Sequence, residues 1–140
     1  MKLLHSSLKI QSLLFVIGLF FFSSAHAELV IVVNPQNETK TLSIGQIAQY
    51  YLGTSVTFTP VEQANNSAIR IEFYKKVLDK EPQQVQALWA RIIFTGKGKP
   101  PKEYKNSAEV KKAIQENVNA IGYIEKSEVD STVKVIATVP

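Results

Sequence analysis

Leu29 to Val33 is an unbroken run of apolar β-formers closed by Asn34-Pro35, the pattern of a strand covered on both faces. At Ile44 the period changes. Ile44, Ile47, Ala48, Tyr51 and Leu52 recur at helical spacing, which predicts one buried stripe over 43–52 with Tyr51 inward and Tyr50 outward. Ser43 and Gln46 form a capping-box pair, Leu42 and Ile47 a hydrophobic staple, and Gly53 a left-handed stop. Val56 to Val61 reads as a strand with Val56, Phe58 and Pro60 on one face, Pro60 marking an edge or a strand end.

A second helix is expected over 67–78, with Asn65, Asn66 and Ser67 as N-cap candidates and Phe73, Tyr74, Val77 and Leu78 inward. Pro82 opens a third over 82–94, where Val85, Leu88, Trp89, Ile92 and Ile93 make the stripe, Trp89 belongs to the core and Gly96 ends the helix. Residues 95–102 are too rich in Gly and Pro for regular structure. Asn106 with Glu109 starts a fourth helix over 107–118, its apolar face Val110, Ala113, Ile114 and Val118. Strands over 120–125 and 133–139 close the chain. Strands alternating with helices, without repeat or long linker, predict a single α/β domain with a mainly parallel or mixed sheet covered by helices.

The residues before Leu29 follow a different logic. Lys2 and Lys9 precede an apolar run from Leu13 to Phe22, and Ser23-Ser24 lead into Ala25-His26-Ala27. That order predicts a secretory signal peptide over 1–27, cleaved after Ala27; the run is short for a membrane span of about 20 residues. The mature domain, 28–140, is then a periplasmic protein of 113 residues, 27 fewer than the 140 of the chain. Cleavage changes the charge picture. The 16 Lys and Arg fall to 14 against 12 Asp and Glu, so the net charge drops from +4 to +2. No dense basic stripe remains, and nucleic acid is excluded as the expected partner.

Cleavage also removes both histidines, His5 and His26, and the chain has no cysteine. Zinc sites built on His or Cys, imidazole bases and Ser-His or Cys-His nucleophiles are thereby excluded. No pair of carboxylates suggests acid–base work, so an enzyme, a metal and a cofactor are all unexpected. Gly96 to Lys99 lacks the Gly-x4-Gly-Lys-Ser/Thr spacing of a phosphate-binding P-loop. Lys97, Lys99, Lys102 and Lys105 read as a solvated rim or a docking surface.

One stretch stands out, from Val61 through Glu62, Gln63, Ala64, Asn65, Asn66 and Ser67 to Arg70. It passes from a strand end through a polar turn into a helix, where free backbone N–H groups and the positive dipole end favour an anion. The first turn of that helix holds Arg70 and no carboxylate, so the cation opposes the dipole unless an anion offsets it. On this reading Gln63, Asn65, Asn66, Ser67 and Arg70 are the ligand-binding residues. The plainer alternative is that Ser67 only caps the helix while Arg70 reaches solvent or a surface carboxylate. If Arg70 serves an external anion, Arg70→Ala leaves the empty protein as stable as before or slightly more so.

Four segments in order resemble the phosphate-binding proteins of bacterial ABC transporters, and above all their short, exported relatives. These are Val32-Val33-Asn34-Pro35 with 42–53, the strand, turn and helix over 61–78, Trp89 with Phe94 to Pro101, and Ala120-Ile121-Gly122-Tyr123. The resemblance implies a single lobe of a type II periplasmic-binding-protein-like fold. It implies phosphate or another small oxyanion as ligand and a membrane transporter or signalling protein as partner. Where full-length members carry an Arg and then Ser-Gly-Thr, this chain has Gln63 and then Ser67, Ala68 and Ile69. The alternative expectation is a ligand-free interaction protein that keeps the lobe.

Overall fold

In chain order the elements are β1 (Leu29–Val33), α1 (Ile44–Tyr51), β2 (Thr59–Glu62), α2 (Ala68–Phe73), a π-helical turn (Tyr74–Leu78), α3 (Pro82–Phe94), β3 (Lys102–Glu103), α4 (Ser107–Glu116), β4 (Ala120–Glu125), a 3-10 turn (Lys126–Glu128) and β5 (Lys134–Val139). This is a computed structural model, and it describes Gly18, Leu19 and residues 28–140. The predicted signal peptide and its cleavage point lie outside the described residues, those two apart. Among the described residues no helix is long and apolar enough to cross a membrane.

The sheet is mixed, in the order β3-β2-β4-β1-β5. β1 runs antiparallel to both neighbours, and β2 runs parallel to β3 and β4. As its unbroken apolar run requires, β1 is buried throughout, with Leu29, Ile31 and Val33 in one core and Val30 and Val32 in the other. The first core lies under α1, α2, the π-turn and α3; the second lies under α4. The expected α/β lobe with a helix-covered mixed sheet is what forms.

Local signals place the helices. The Ser43 Oγ accepts from Gln46 N–H at 3.2 Å and the Gln46 Oε1 accepts from Ser43 N–H at 2.9 Å, completing the box that starts α1. Gly53 has a φ of +75°, and a Cβ there would meet the Trp89 ring at 3.0 Å, so both backbone and packing require glycine. Pro82 opens α3 as predicted. Trp89 is buried and donates its indole N–H to the Tyr51 carbonyl at 3.0 Å.

Ile93, expected on the buried stripe of α3, is 52% exposed, and five further expectations shift, each for a local reason. The strand expected over 56–61 begins only at Thr59 and continues to Glu62. Thr54 and Ser55 are still bonded to the free Gln49 carbonyl of α1, and Val56 stands 92% exposed. Tyr50 is buried, because Phe58 comes in edge-on to it at 5.1 Å. The helix over 67–78 is α-helical only to Phe73, and the wider π-turn that follows buries Tyr74, Val77 and Leu78 together. α4 stops at Glu116 and leaves Val118 exposed. There the Asn34 side chain donates to the carbonyls of Ile114 and Gln115, closing the helix end, while Asn117 Oδ1 turns the chain at Asn119. Finally, the predicted irregular segment ends in β3, a two-residue strand beside β2.

Candidate functional site

β2 sets the site by alternation. Val61 points to the α4 core, Glu62 points toward α2 and the π-turn, and Gln63 points back toward α4. The Gln63 amide donates to Ser107 Oγ at 3.0 Å and to the Tyr123 carbonyl at 3.1 Å. Of the five residues singled out in the sequence, Gln63 is therefore turned to the opposite face of the sheet. Asn66 holds the turn with a left-handed φ of 69°, which Asn tolerates better than most residues. Ser67 caps α2, its Oγ accepting from Arg70 N–H at 3.4 Å.

Asn65 and Arg70 meet at the carboxyl end of β2, and Glu103 of β3 joins them. One Glu103 carboxylate oxygen accepts from the Asn65 backbone N–H at 2.7 Å, the other from Arg70 Nη1 at 2.9 Å. Arg70 Nη1 also donates to the Gln63 carbonyl at 3.1 Å. Its Nε lies 2.8 Å from a Glu62 oxygen and 2.9 Å from the Tyr74 hydroxyl, which itself donates to Glu62 at 2.7 Å. Arg70 thus reaches a surface carboxylate, Glu103, as the plainer alternative from the sequence had it. Glu103 bridges the Asn65 N–H and Arg70, and Glu62 holds the far side of the guanidinium.

The two carboxylates differ in environment. Glu62 is only 3% exposed. Burial raises its pKa from an ordinary 4.5 to about 7, against the pull of Arg70 and the Tyr74 hydroxyl. Glu103 lies at the surface and is held below the usual range by the Asn65 N–H and by Arg70. Burial alone would lower the pKa of Arg70, but Glu62, Tyr74 and Glu103 outweigh it and hold the guanidinium charged. Tyr74 is pushed up by burial and by Glu62, so its hydroxyl stays a donor.

Beside this network opens a cavity of about 350 Å³. Its polar wall is Glu62, Asn65, Arg70, Tyr74 and Glu103, and its apolar wall comes from α3 and from Pro100-Pro101. The cavity lies outside the carboxyl ends of the parallel strands β2 and β3, where open α/β sheets place their ligands. Lys97, Lys99, Lys102 and Lys105 are all exposed, and Lys102 lies over the Tyr104 ring at 5.4 Å.

The chain shares its fold with solved phosphate-binding proteins. A phosphate ABC transporter substrate-binding protein from Clostridium perfringens, solved with bound phosphate, superposes with a TM-score of 0.64 at 22% identity, over 78% of this chain and 44% of that one. An ABC-type phosphate transport receptor from Vibrio cholerae gives 0.61 at 21% identity, over 78% and 45%. PstS from Borrelia burgdorferi gives 0.60 at 12% identity, over 79% and 46%. The fold is that of one lobe of these proteins. The chain spans less than half the length of each. No protein-family model matches it, and no curated protein does either.

Three members of the network were missed in the sequence. Glu62 carried a readable signal, a carboxylate in a strand at a position that alternation turns inward. Tyr74 lies at i+4 from Arg70, but its aromatic ring reads first as core. Glu103 carried none, because a two-residue strand has no period.

Proposed function

We propose that this lobe is a non-enzymatic, periplasmic solute-binding protein that takes a small oxyanion, phosphate foremost, at the clamp formed by the Asn65 N–H and Arg70. The position of the Glu103 carboxylate carries this reading: held at 2.7 and 2.9 Å by those two groups, it is itself an oxyanion in the site. An external anion takes that place when Glu103 swings out into solvent. Asn66 and Ser67 shape the turn that presents the Asn65 N–H, and Gln63 fixes the strand behind it. The single-lobe fold and the predicted export signal agree with a role beside a membrane transporter.

Glu62 faces the same guanidinium, so an incoming anion is repelled when Glu62 is charged. Anion affinity therefore falls as pH rises through about 7. Sulfate is the cleaner probe, since its own charge is constant there. Calorimetric titration of the purified protein with phosphate and sulfate at pH 6 and pH 8 tests the reading. Saturable sulfate binding, tighter at pH 6, is expected; binding indifferent to Arg70→Gln contradicts it.

The rival reading is a ligand-free interaction lobe serving a membrane or signalling partner. Its support is the same Glu103 carboxylate, which leaves Arg70 already satisfied. Absence of saturable anion binding at millimolar concentration, in the wild type and in Glu103→Ala alike, selects this second reading.

A further inference from the structure

The clamp and the cavity share their residues, yet they differ in scale and in chemistry. A tetrahedral oxyanion of five heavy atoms fills the share of a few waters, at about 30 Å³ each. The cavity measures about 350 Å³, within the roughly 300–1,000 Å³ of small-molecule sites. An inorganic anion on Asn65 and Arg70 leaves most of that space empty. The remaining wall is apolar but for Gln86, and Trp89 and Ile93 of α3 and Pro101 are among its lining residues. Ile93, one of the lining residues, is an apolar side chain left 52% exposed among the described residues.

From this juxtaposition we infer that the site takes an organic oxyanion, a phosphonate or carboxylate head carrying an apolar body, with the head on Asn65 N–H and Arg70 and the body along Trp89, Ile93 and Pro101. The inference rests on the oxyanion reading above and narrows its ligand class. Glu103 supplies the template for the head, since its two carboxylate oxygens already bridge the same two donors. Its side chain is 48% exposed and follows a Gly- and Pro-rich loop, so leaving the clamp uncovers no buried charge.

Trp89 is the only tryptophan in the chain and is among the cavity's lining residues, so a change in its emission is the readout of occupancy. Phenylphosphonate, inorganic phosphate, benzyl alcohol and benzylamine are titrated into the wild-type protein and into Glu103→Ala, with circular dichroism confirming the fold of the variant. Phenylphosphonate is expected to shift Trp89 emission saturably and to bind about tenfold tighter than phosphate, the gain from burying one ring's worth of apolar surface. Glu103→Ala is expected to tighten both anions several-fold by removing the competing carboxylate. Equal affinity for phenylphosphonate and phosphate overturns this inference and leaves the oxyanion reading standing. Benzyl alcohol or benzylamine binding as tightly as phenylphosphonate also overturns it. If neither anion saturates a folded Glu103→Ala, both readings fall together.

Discussion

The two faces of the sheet solve the same packing problem with different chemistry. Under α4, Val110, Ala113 and Ile114 cover Val30, Val32, Val61 and Ile124, an aliphatic layer. The ion pair on that helix, Lys111 with Asp130 at 2.7 Å, stays at the surface. On the opposite face the core is aromatic: Phe73 stacks on Tyr123 at 4.0 Å, and Tyr51 meets Phe73 edge-on at 4.6 Å. That face also takes in a charge, Glu62, balanced by Arg70 at 2.8 Å. Neighbouring residues at the end of β2 show the contrast most sharply. Gln63, on the α4 side, is a neutral amide with its donors satisfied, while Glu62 is a buried acid with its pKa near 7. A fold needs no buried acid for stability, since replacing such a pair with apolar groups is often neutral. The charge is on the face where the cavity opens, and the proposed function gives it a use there.

Substitutions on the two faces should therefore differ in pH dependence as well as in size. Ile114→Ala removes fully buried aliphatic volume and is expected to cost about 2–5 kcal/mol, equally at pH 5 and pH 8, by denaturant unfolding. Arg70→Ala leaves Glu62 without its counter-charge, and the expected loss is about 2–4 kcal/mol at pH 8. At pH 5 the loss shrinks, because Glu62 takes up a proton instead. This departs from the external-anion reading of the sequence, in which removing Arg70 left stability unchanged or slightly higher; the plainer alternative, Arg70 reaching a surface carboxylate, agrees with the Glu103 contact. A cost for Arg70→Ala that is the same at both pH values would make the two faces equivalent and remove the distinction.

Glu62 sets a slope of its own. Its folded pKa is raised above its unfolded value, so its contribution is full below about 4.5 and is lost as pH rises through about 7. Wild-type melting temperature should fall between pH 5 and pH 8, and Glu62→Gln should flatten that fall. Glu103 acts in the opposite sense and in a different window. Its lowered pKa gives stability that is present above the ordinary carboxylate range and is lost on further acidification, so it does not obscure the test. A Glu62→Gln profile parallel to the wild type would show that Glu62 is charged in the fold throughout.

The smallest effect belongs to the turn. Ser67→Ala removes the cap on α2 and should cost about 1 kcal/mol at either pH. A much larger loss would mean that the turn, rather than Arg70, holds the site together.

Much of this architecture was legible because local signals and tertiary packing agreed. The apolar runs of β1 and β4, the Ser43–Gln46 box, Pro82 and the Asn106 cap all specify structure within a few residues. What was not legible depended on distant partners. Tyr50 is buried by Phe58, α4 is closed by Asn34 from the end of β1, and Val56 is exposed because α1 still holds the preceding residues through Gln49. The site followed the same division. The turn and Arg70 were visible as a helix start lacking its anion, whereas the anion that fills it comes from Glu103, 33 residues further along. No pattern around Glu103 points back to Arg70.

In the proposed function the Asn65 N–H and Arg70 form an oxyanion clamp for which Glu103 competes. Nuclear magnetic resonance of the ¹⁵N-labelled protein reads the Asn65 donor directly, and Arg70 through the Nε–H beside its donating Nη1, during a sulfate titration at pH 6. The Asn65 amide and the Arg70 Nε–H resonances are predicted to move together along one saturable curve, steeper in Glu103→Ala, while the amides around Asn117 and Asn119 stay still. Resonances of Asn65 and Arg70 that remain fixed in both proteins through millimolar sulfate would contradict the clamp.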